Sequence, residues 1–474
     1  MVVIGGGVTG VGCALDAAAR GLTVALLEQR DIAAGTSSRS SKLIHGGLRY
    51  LEQLDFGLVR EALGERTRLA STIAPHLVRP VPFLYPLRHR VWERAYIGAG
   101  IALYDIFAWR RDNPLPGHRH LSRGGVAAVA PGLDPSSYVG GVQYWDAKVD
   151  DARHSLAVAR TAAGLGAHVL TSAKAIDLLR SGERVTGVRA RCLETGRTLQ
   201  ISARSVINAT GVWTGDIQSL AGSVEMDARA SKGVHLVVPA DRIRSATGII
   251  TRTASSVLFV IPWGAHWIIG TTDTDWPHDR TSPAATEGDI AYLLSTANTV
   301  LRRPLGPADI TGVYAGLRPL LPTATDLPSK VTREHRVVRS SPGMVSILGG
   351  KYTTYRVMAR DAVDAVADEL GQPLPPSSTA DLPLVGALGY EELSSQTADL
   401  AAATGLMPDR VEHLLSRHGD RLGEILDLVA TRPDLADPLA AGHPYLKAEV
   451  VHAVAREGAL HLDDVLTRRT RLSV

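Results

Sequence analysis

Short apolar runs broken by glycines open the chain. Val2 to Ile4 is followed at once by Gly5–Gly7, an alanine-rich segment runs from Gly12 to Arg20, and Leu22 to Leu27 is apolar again before Glu28. This order predicts strand, glycine turn, helix, strand. Alternating or β-branched stretches predict strands near Tyr138–Tyr144 and at Arg184–Cys192, Leu199–Asn208, His235–Val238, Ser256–Ile261, Trp267–Gly270 and Val345–Leu348. Helices are predicted at Asp151–Gly164 and Tyr355–Leu370. Between 370 and 388 Pro, Ser and Gly crowd together and read as a linker. Beyond it, Val411–Arg417, Leu422–Thr431 and Ala448–Glu457 carry the spacing of short amphipathic helices. A βαβ opening, many later strands and a helical tail predict an α/β chain with a second, mixed sheet and a small helical third domain.

Composition narrows the function. The chain has 474 residues, 45% hydrophobic and 21% charged, with a net charge of +3. That even balance argues against a dedicated nucleic-acid binder, which carries a concentrated basic surplus. The two cysteines, Cys13 and Cys192, can build neither a disulfide framework nor a zinc site, so no metal is expected and a reducing compartment fits. The amino terminus lacks the basic region and cleavage site of a signal peptide. No stretch reaches the roughly 18 uncharged apolar residues that span a bilayer. The segment from Arg88 to Arg111 is apolar with basic ends, which suits either a core helix or a helix lying in a membrane interface.

Three clusters carry chemistry. The first is Gly5-Gly6-Gly7-Val8-Thr9-Gly10, a GxGxxG between strand and helix. Gly5 permits the turn, Gly7 the approach of a pyrophosphate, and Gly10 close packing of helix on strand, with the phosphates at the helix N-terminus. Glu28 ends the second strand, where a carboxylate accepts from ribose hydroxyls. This predicts a bound dinucleotide without choosing between FAD and NAD. Asn208-Ala209-Thr210-Gly211 points towards FAD, or is an ordinary strand exit. The second cluster runs from Gly35 to Tyr50 and mixes hydroxyls and glycines with Lys42, His45, Arg49 and Tyr50. Small polar residues let a backbone lie along a flat ring, although a capped, exposed helix has similar text. The third cluster is dispersed over Lys232–His235, Gly270–Asp273, Gly316–Leu320 and Gly349–Thr354. Each piece alone reads as structure. Arg49, Arg318 and Lys351 together could hold one small anion, Arg by a bidentate fork and Lys as a compact charge.

Read together, VIGGGVTG, TSSRSSKLIHGGLRYLE, VINATGVWTG, KGVHLVVP, IIGTTDTD, AGLRPLLP and LGGKYTTYR resemble the FAD-dependent (aerobic) glycerol-3-phosphate dehydrogenase family over nearly the whole chain. The resemblance implies a Rossmann-type FAD-binding domain of the glycine-oxidase-like flavoprotein fold, a mixed β-sheet substrate domain and a helical C-terminal domain. On that pattern residues 1–70, 145–215 and 331–372 form the FAD domain, 71–144 and 216–330 the substrate domain, and 388–474 the helical domain. The flavin contacts implied are Gly5, Gly7, Gly10, Glu28, Thr36, Ser37, Ser41, Lys42, Leu43, Ala209, Gly211, Lys351 and Thr353. Those to glycerol phosphate are Arg49, Tyr50, His235, Thr271, Arg318 and Lys351. Also implied are a membrane quinone as electron acceptor, an anionic membrane surface, a homodimer and a cytoplasmic location on the inner face of the cell membrane.

The expected reaction is oxidation of sn-glycerol 3-phosphate at C2. Either His45 or His235 would be the base, because histidine titrates near working pH. Arg318 stays protonated and would meet the phosphate or the developing alkoxide. Three alternatives stand beside it. An oxygen-using glycerol-3-phosphate oxidase usually carries an inserted segment not seen here. An amine or amino-acid oxidase leaves SSKLIHGGLRY without a role. A flavin-holding scaffold without turnover leaves Arg49, His235, Arg318 and Lys351 without one.

Overall fold

The computed structural model describes residues 1–47, 49–52, 55–108, 113–222, 224–253, 257–321, 334–370 and 373–473. Val2–Ile4 lies inside a six-stranded sheet ordered His335–Ser341, Met344–Gly349, Val206–Asn208, Val2–Ile4, Ala25–Leu27, His168–Leu170. All neighbours are parallel except the first pair. A strand covered on both faces needs apolar residues at every position, which is why this one reads as an unbroken apolar run. Helix Val8–Ala19 packs on the sheet beside helices Tyr355–Leu370 and Asp151–Gly164. Its small residues make that approach: a Cβ on Gly12 would sit 3.0 Å from the Tyr355 ring.

Strands Ala173–Ser181, Arg184–Cys192 and Thr198–Ser202 form a separate antiparallel sheet. The expected strand Leu199–Asn208 is therefore two. Thr198–Ser202 stays in the antiparallel sheet, while Val206–Asn208 enters the parallel one, where the Ser205 carbonyl accepts from Val2 N–H at 3.1 Å. The large mixed sheet contains Val78–Leu87, Gly140–Val149, Arg229–Pro239, His266–Gly270 and Gly312–Leu320 among its strands. Val257–Trp263 stands where Ser256–Ile261 was expected, Ser256 lying outside the described residues.

The linker reading of 370–388 needs correction. The Ser377 and Thr379 hydroxyls donate to the buried Asp16 carboxylate, and Leu384, 1% exposed, donates its N–H to the Ile73 carbonyl at 2.8 Å. Proline and serine kept the segment out of regular structure, yet its hydroxyls satisfy a buried acid and bind it to the half built on the parallel sheet. Beyond it, helices Pro408–His418, Leu422–Thr431 and Lys447–Glu457 close on a core of Val411, Leu414, Ile425 and Leu446.

The apolar stretch after Arg88 forms helix Trp92–Phe107. It buries Ile97, Ile101 and Tyr104 but leaves Trp92, Tyr96 and Ile106 exposed at 60%, 52% and 62%. Among the described residues, no helix is long and apolar enough to cross a membrane.

Candidate active site

A cavity of about 780 Å³ runs from the glycine turn to the large sheet. Its size lies in the upper part of the ~300–1,000 Å³ range of small-molecule sites. At one end are Gly5, Gly7, Glu28, Ala209 and Gly211. Gly5 has φ +111°, and a Cβ there would meet the Ala209 carbonyl oxygen at 2.6 Å. Gly10 does not line the cavity; a Cβ on it would collide with the Gly5 carbonyl, so it lets helix and strand touch. Gly7, the N-cap, has no side chain to close the helix, and Val8 N–H donates instead to Ser37 Oγ at 2.9 Å. Glu28 accepts from Gly6 and Arg30 N–H at 2.7 and 2.8 Å. Burial still pushes its carboxyl upward, against those two hydrogen bonds. A carboxylate in this state is suited to ribose hydroxyls, so the residues present fit a dinucleotide.

The loop after Glu28 supplies Thr36, Ser37 and Ser41 to the cavity wall, with Leu43 further along. Thr36 Oγ1 donates to the Leu317 carbonyl at 2.6 Å, which ties the loop to the large sheet. Lys42, expected at the flavin, instead turns its side chain away. It is fully buried, and its ammonium donates to the Ser38 carbonyl and Asp151 Oδ1, both at 2.8 Å. Burial and the nearby Arg471 bring its pKa down to about 8, with Asp151 opposing.

The other end of the cavity rests on two paired strands. Ser231, Gly233 and His235 stand opposite Arg318, Gly316 and Tyr314. With a side-chain period of two, these six share one face. The glycines clear its middle: a Cβ on Gly316 would meet the Arg39 carbonyl oxygen at 2.8 Å. His235 is 2% exposed, lies parallel to Tyr314 at 4.7 Å, and shares a 2.8 Å hydrogen bond between Nε2 and Ser41 Oγ. Its Nδ1 has no partner among the described residues. Burial, then the charges of Arg318 and Lys42, hold its pKa well below the usual histidine range, so the ring is neutral. Arg318 donates to Thr271 Oγ1 and the Thr272 carbonyl at 3.1 Å each, and to Asp273 Oδ1 at 3.3 Å. Thr271 is not on the cavity wall; it stands behind Arg318 and orients it.

His45, Tyr50, Lys351 and Thr353 complete this end. Thr353 Oγ1 bonds both the His45 N–H and carbonyl, at 3.1 and 3.2 Å. Lys351 Nζ sits 3.9 Å from the centre of the Tyr50 ring and donates to the Gly46 carbonyl at 3.3 Å. Arg49 opens the short helix Arg49–Glu52, and its side chain lies outside the described residues. Residue-by-residue reading missed Tyr314, Arg39 and Trp213, all touching the site. Tyr314 was within reach: it stands four residues before Arg318 in one strand, with glycine between.

A Rossmann glycine turn, a half-buried ribose-type acid and a second sheet closing the far end define a dinucleotide-dependent oxidoreductase. The model of the family described as FAD dependent oxidoreductase matches residues 1–356, and that of the C-terminal domain of alpha-glycerophosphate oxidase matches residues 377–474. The chain is 57% identical to a glycerol-3-phosphate dehydrogenase of Mycobacterium leprae over 475 positions, covering 100% of this chain and 81% of that one. The crystal structure of glycerol-3-phosphate dehydrogenase from Bacillus halodurans complexed with FAD superposes with a TM-score of 0.79 at 30% identity, over 99% of this chain and 85% of the other. An L-alpha-glycerophosphate oxidase from Mycoplasma pneumoniae with FAD bound shares the fold at a TM-score of 0.61 and 18% identity, over 81% and 98% of the two chains. The chain thus belongs to the FAD-dependent glycerol-3-phosphate dehydrogenase family, with FAD as its cofactor and the glycine-oxidase-like flavoprotein fold.

Proposed function

We propose that this protein oxidises sn-glycerol 3-phosphate to dihydroxyacetone phosphate and passes the electrons to a membrane quinone. The observation that carries the reading is a single cavity wall bearing two cations, Arg318 and Lys351, and two histidines, His45 and His235, at the end away from the glycine turn. Bound FAD supplies the two-electron acceptor for the hydride leaving C2. The chain's own residues hold the phosphate and manage the proton. Arg318, fixed by Thr271 and Asp273, offers a planar charge, and Lys351 a compact one. A histidine then takes the C2 hydroxyl proton. His235 is neutral and so able to accept, but Arg318 penalises its protonation until an anion offsets that charge. His45, anchored through its backbone by Thr353, is the other candidate base.

The test is an anaerobic absorbance spectrum of the holoenzyme before and after sn-glycerol 3-phosphate. The expected result is loss of the oxidised-flavin band, restored by a quinone and only slowly by air. Fast restoration by air points instead to the oxidase, and no loss at all rejects the substrate. Single-turnover measurements on His45→Ala and His235→Ala separate the bases; wild-type rates in both reject both.

Helix Trp92–Phe107 supports a place at the membrane surface. Trp92, Tyr96 and Ile106 form an exposed apolar stripe, with the exposed Arg88 and Arg90 just before it. The protein is expected to sit on the inner face of the cell membrane from the cytoplasmic side, as a homodimer. Flotation with anionic vesicles tests the membrane part; holoenzyme that stays at the bottom of the gradient rejects it.

A further inference from the structure

The loop from Glu28 to Ser41 has two faces, and different parts of the chain use them. Its inner face gives the cavity Glu28, Thr36, Ser37 and Ser41. Its outer face is gripped by arginines from the last turn of the helical domain. Arg468 Nε and Arg469 Nη1 both donate to Asp31 Oδ2, at 2.6 and 2.7 Å, and Arg469 Nη2 to Oδ1 at 2.9 Å. Asp31 is 2% exposed and lies three residues past Glu28.

Further along the loop, Arg471 Nη1 donates to the Ser38 carbonyl at 3.1 Å. Its Nε and Nη2 donate to Asp150 Oδ1 at 3.0 and 2.9 Å, and Nη2 also reaches Asp151 Oδ1. Asp151 carries the restraint inward. Its Oδ2 accepts from the Ser40 N–H and hydroxyl at 2.9 and 2.7 Å, and its Oδ1 from Lys42. Between Ser40 and Lys42 stands Ser41, whose hydroxyl is bonded to His235. Arg471 adopts φ +58°, a region that side chains other than glycine disfavour. Its contacts hold it there.

We propose that Arg468, Arg469 and Arg471 are positioning residues for the flavin, setting FAD affinity by holding the cavity loop in its ligand-ready shape from outside. None of the three lines the cavity, so their effect on FAD must act through the loop. A loop fixed before the ligand arrives spares the ordering cost of binding. The planar guanidinium suits this task, because one fork spans a carbonyl and two carboxylates, which an ammonium cannot do in the same geometry.

The experiment uses full-length holoenzyme carrying Arg471→Ala or the double change Arg468→Ala/Arg469→Ala, with Arg471→Lys as the milder variant. FAD affinity is read by titrating stripped protein with FAD, and loop geometry by visible circular dichroism at saturating FAD. The expected result is an FAD dissociation constant raised ten-fold or more in Arg471→Ala and at least three-fold in Arg471→Lys. The visible dichroism changes, the far-ultraviolet spectrum does not, and the KM for sn-glycerol 3-phosphate at saturating FAD moves less than two-fold. If Arg471→Ala does not fold, Arg471→Lys and the double variant carry the test. FAD affinity within two-fold of wild type in the folded variants overturns the proposal. The affinity readout needs no substrate, so it stands apart from the reaction proposed above.

Discussion

Carboxylates at the flavin cavity and at the seam between the helical domain and the FAD-binding half have their protonation pushed in opposite directions. At the cavity, burial raises Glu28, and the two backbone N–H groups it accepts from only partly oppose that. At the seam, the charges of Arg153, Arg417 and the nearby histidines outweigh burial and hold Glu449 and Glu457 well below the usual carboxylate range. The difference is one of partners. Seam charges are matched within the protein, whereas the cavity keeps polar groups for something that is not protein. The seam even contains a cluster of metal-binding types, His418, His452 and Glu457, with donor atoms within 4.8 Å of one another. There Arg153 donates to Glu457 and contacts His418, so a guanidinium supplies the positive charge.

If seam charges are mutually matched, removing one should cost stability above all. Asp151 is the sharpest place to break the match, because its carboxylate faces the buried Lys42 and Arg471 at once. Asp151→Asn leaves the buried Lys42 without its counter-charge, while Arg471 keeps Asp150, and an uncompensated buried charge costs about 3–5 kcal/mol. Urea unfolding of the holoenzyme at pH 7 measures this; a loss under about 1 kcal/mol contradicts the matched-charge reading.

The same comparison has a pH form. His154, fully buried against the seam, shares a 3.0 Å hydrogen bond with the Tyr352 hydroxyl, and burial lowers its pKa to about 4. His76 and His418 are lowered to about 3, also chiefly by burial. Between pH 6.5 and 4 the unfolded chain binds protons at these histidines and the folded chain does not, so stability falls as pH falls. For His154 alone the full effect is about 3 kcal/mol, from the 1.36 kcal/mol carried by each pKa unit. Glu449 and Glu457 have depressed pKa values, so their contribution is present above the unfolded value and is lost only on further acidification. The drop between pH 6.5 and 4.5 therefore belongs to the histidines. Urea midpoints across that range should decline in the wild type and decline less steeply in His154→Asn, with His76 and His418 keeping the rest; parallel curves reject the assignment.

The two regions were also unequally legible in the sequence. The cavity's glycine turn and Glu28 follow from local patterns, as do helices Asp151–Gly164 and Tyr355–Leu370 and strand Arg184–Cys192, which appear with the expected bounds. The seam is made of pairs far apart in the chain, Asp31 with Arg469 and Asp151 with Arg471, and no local period announces them. Lys42 shows the same distance problem. The family resemblance put it at the flavin, while the partner that holds its ammonium, Asp151, lies over a hundred residues away. The packed segment before the helical domain failed for the same reason, because Asp16 and Ile73, which hold it, are remote.

The cavity side of the comparison is tested by Arg318→Met, which removes a guanidinium that is held by protein but whose side chain is still 26% exposed. Its bonds to Thr271 and Asp273 are of the charged kind, and Asp273 keeps Ser231 as a partner when Arg318 is gone. If the guanidinium serves a ligand anion, its loss removes a charged hydrogen bond worth about 1.5–3 kcal/mol. That corresponds to a fall of roughly 10- to 150-fold in kcat/KM for sn-glycerol 3-phosphate. The urea midpoint should fall less than in Asp151→Asn, since the residual acid is neither alone nor fully enclosed. FAD affinity should hold, because Arg318 stands at the end away from the glycine turn. A variant that loses stability as Asp151→Asn does, while keeping kcat/KM, would place Arg318 with the seam charges instead, as a structural ion serving no ligand.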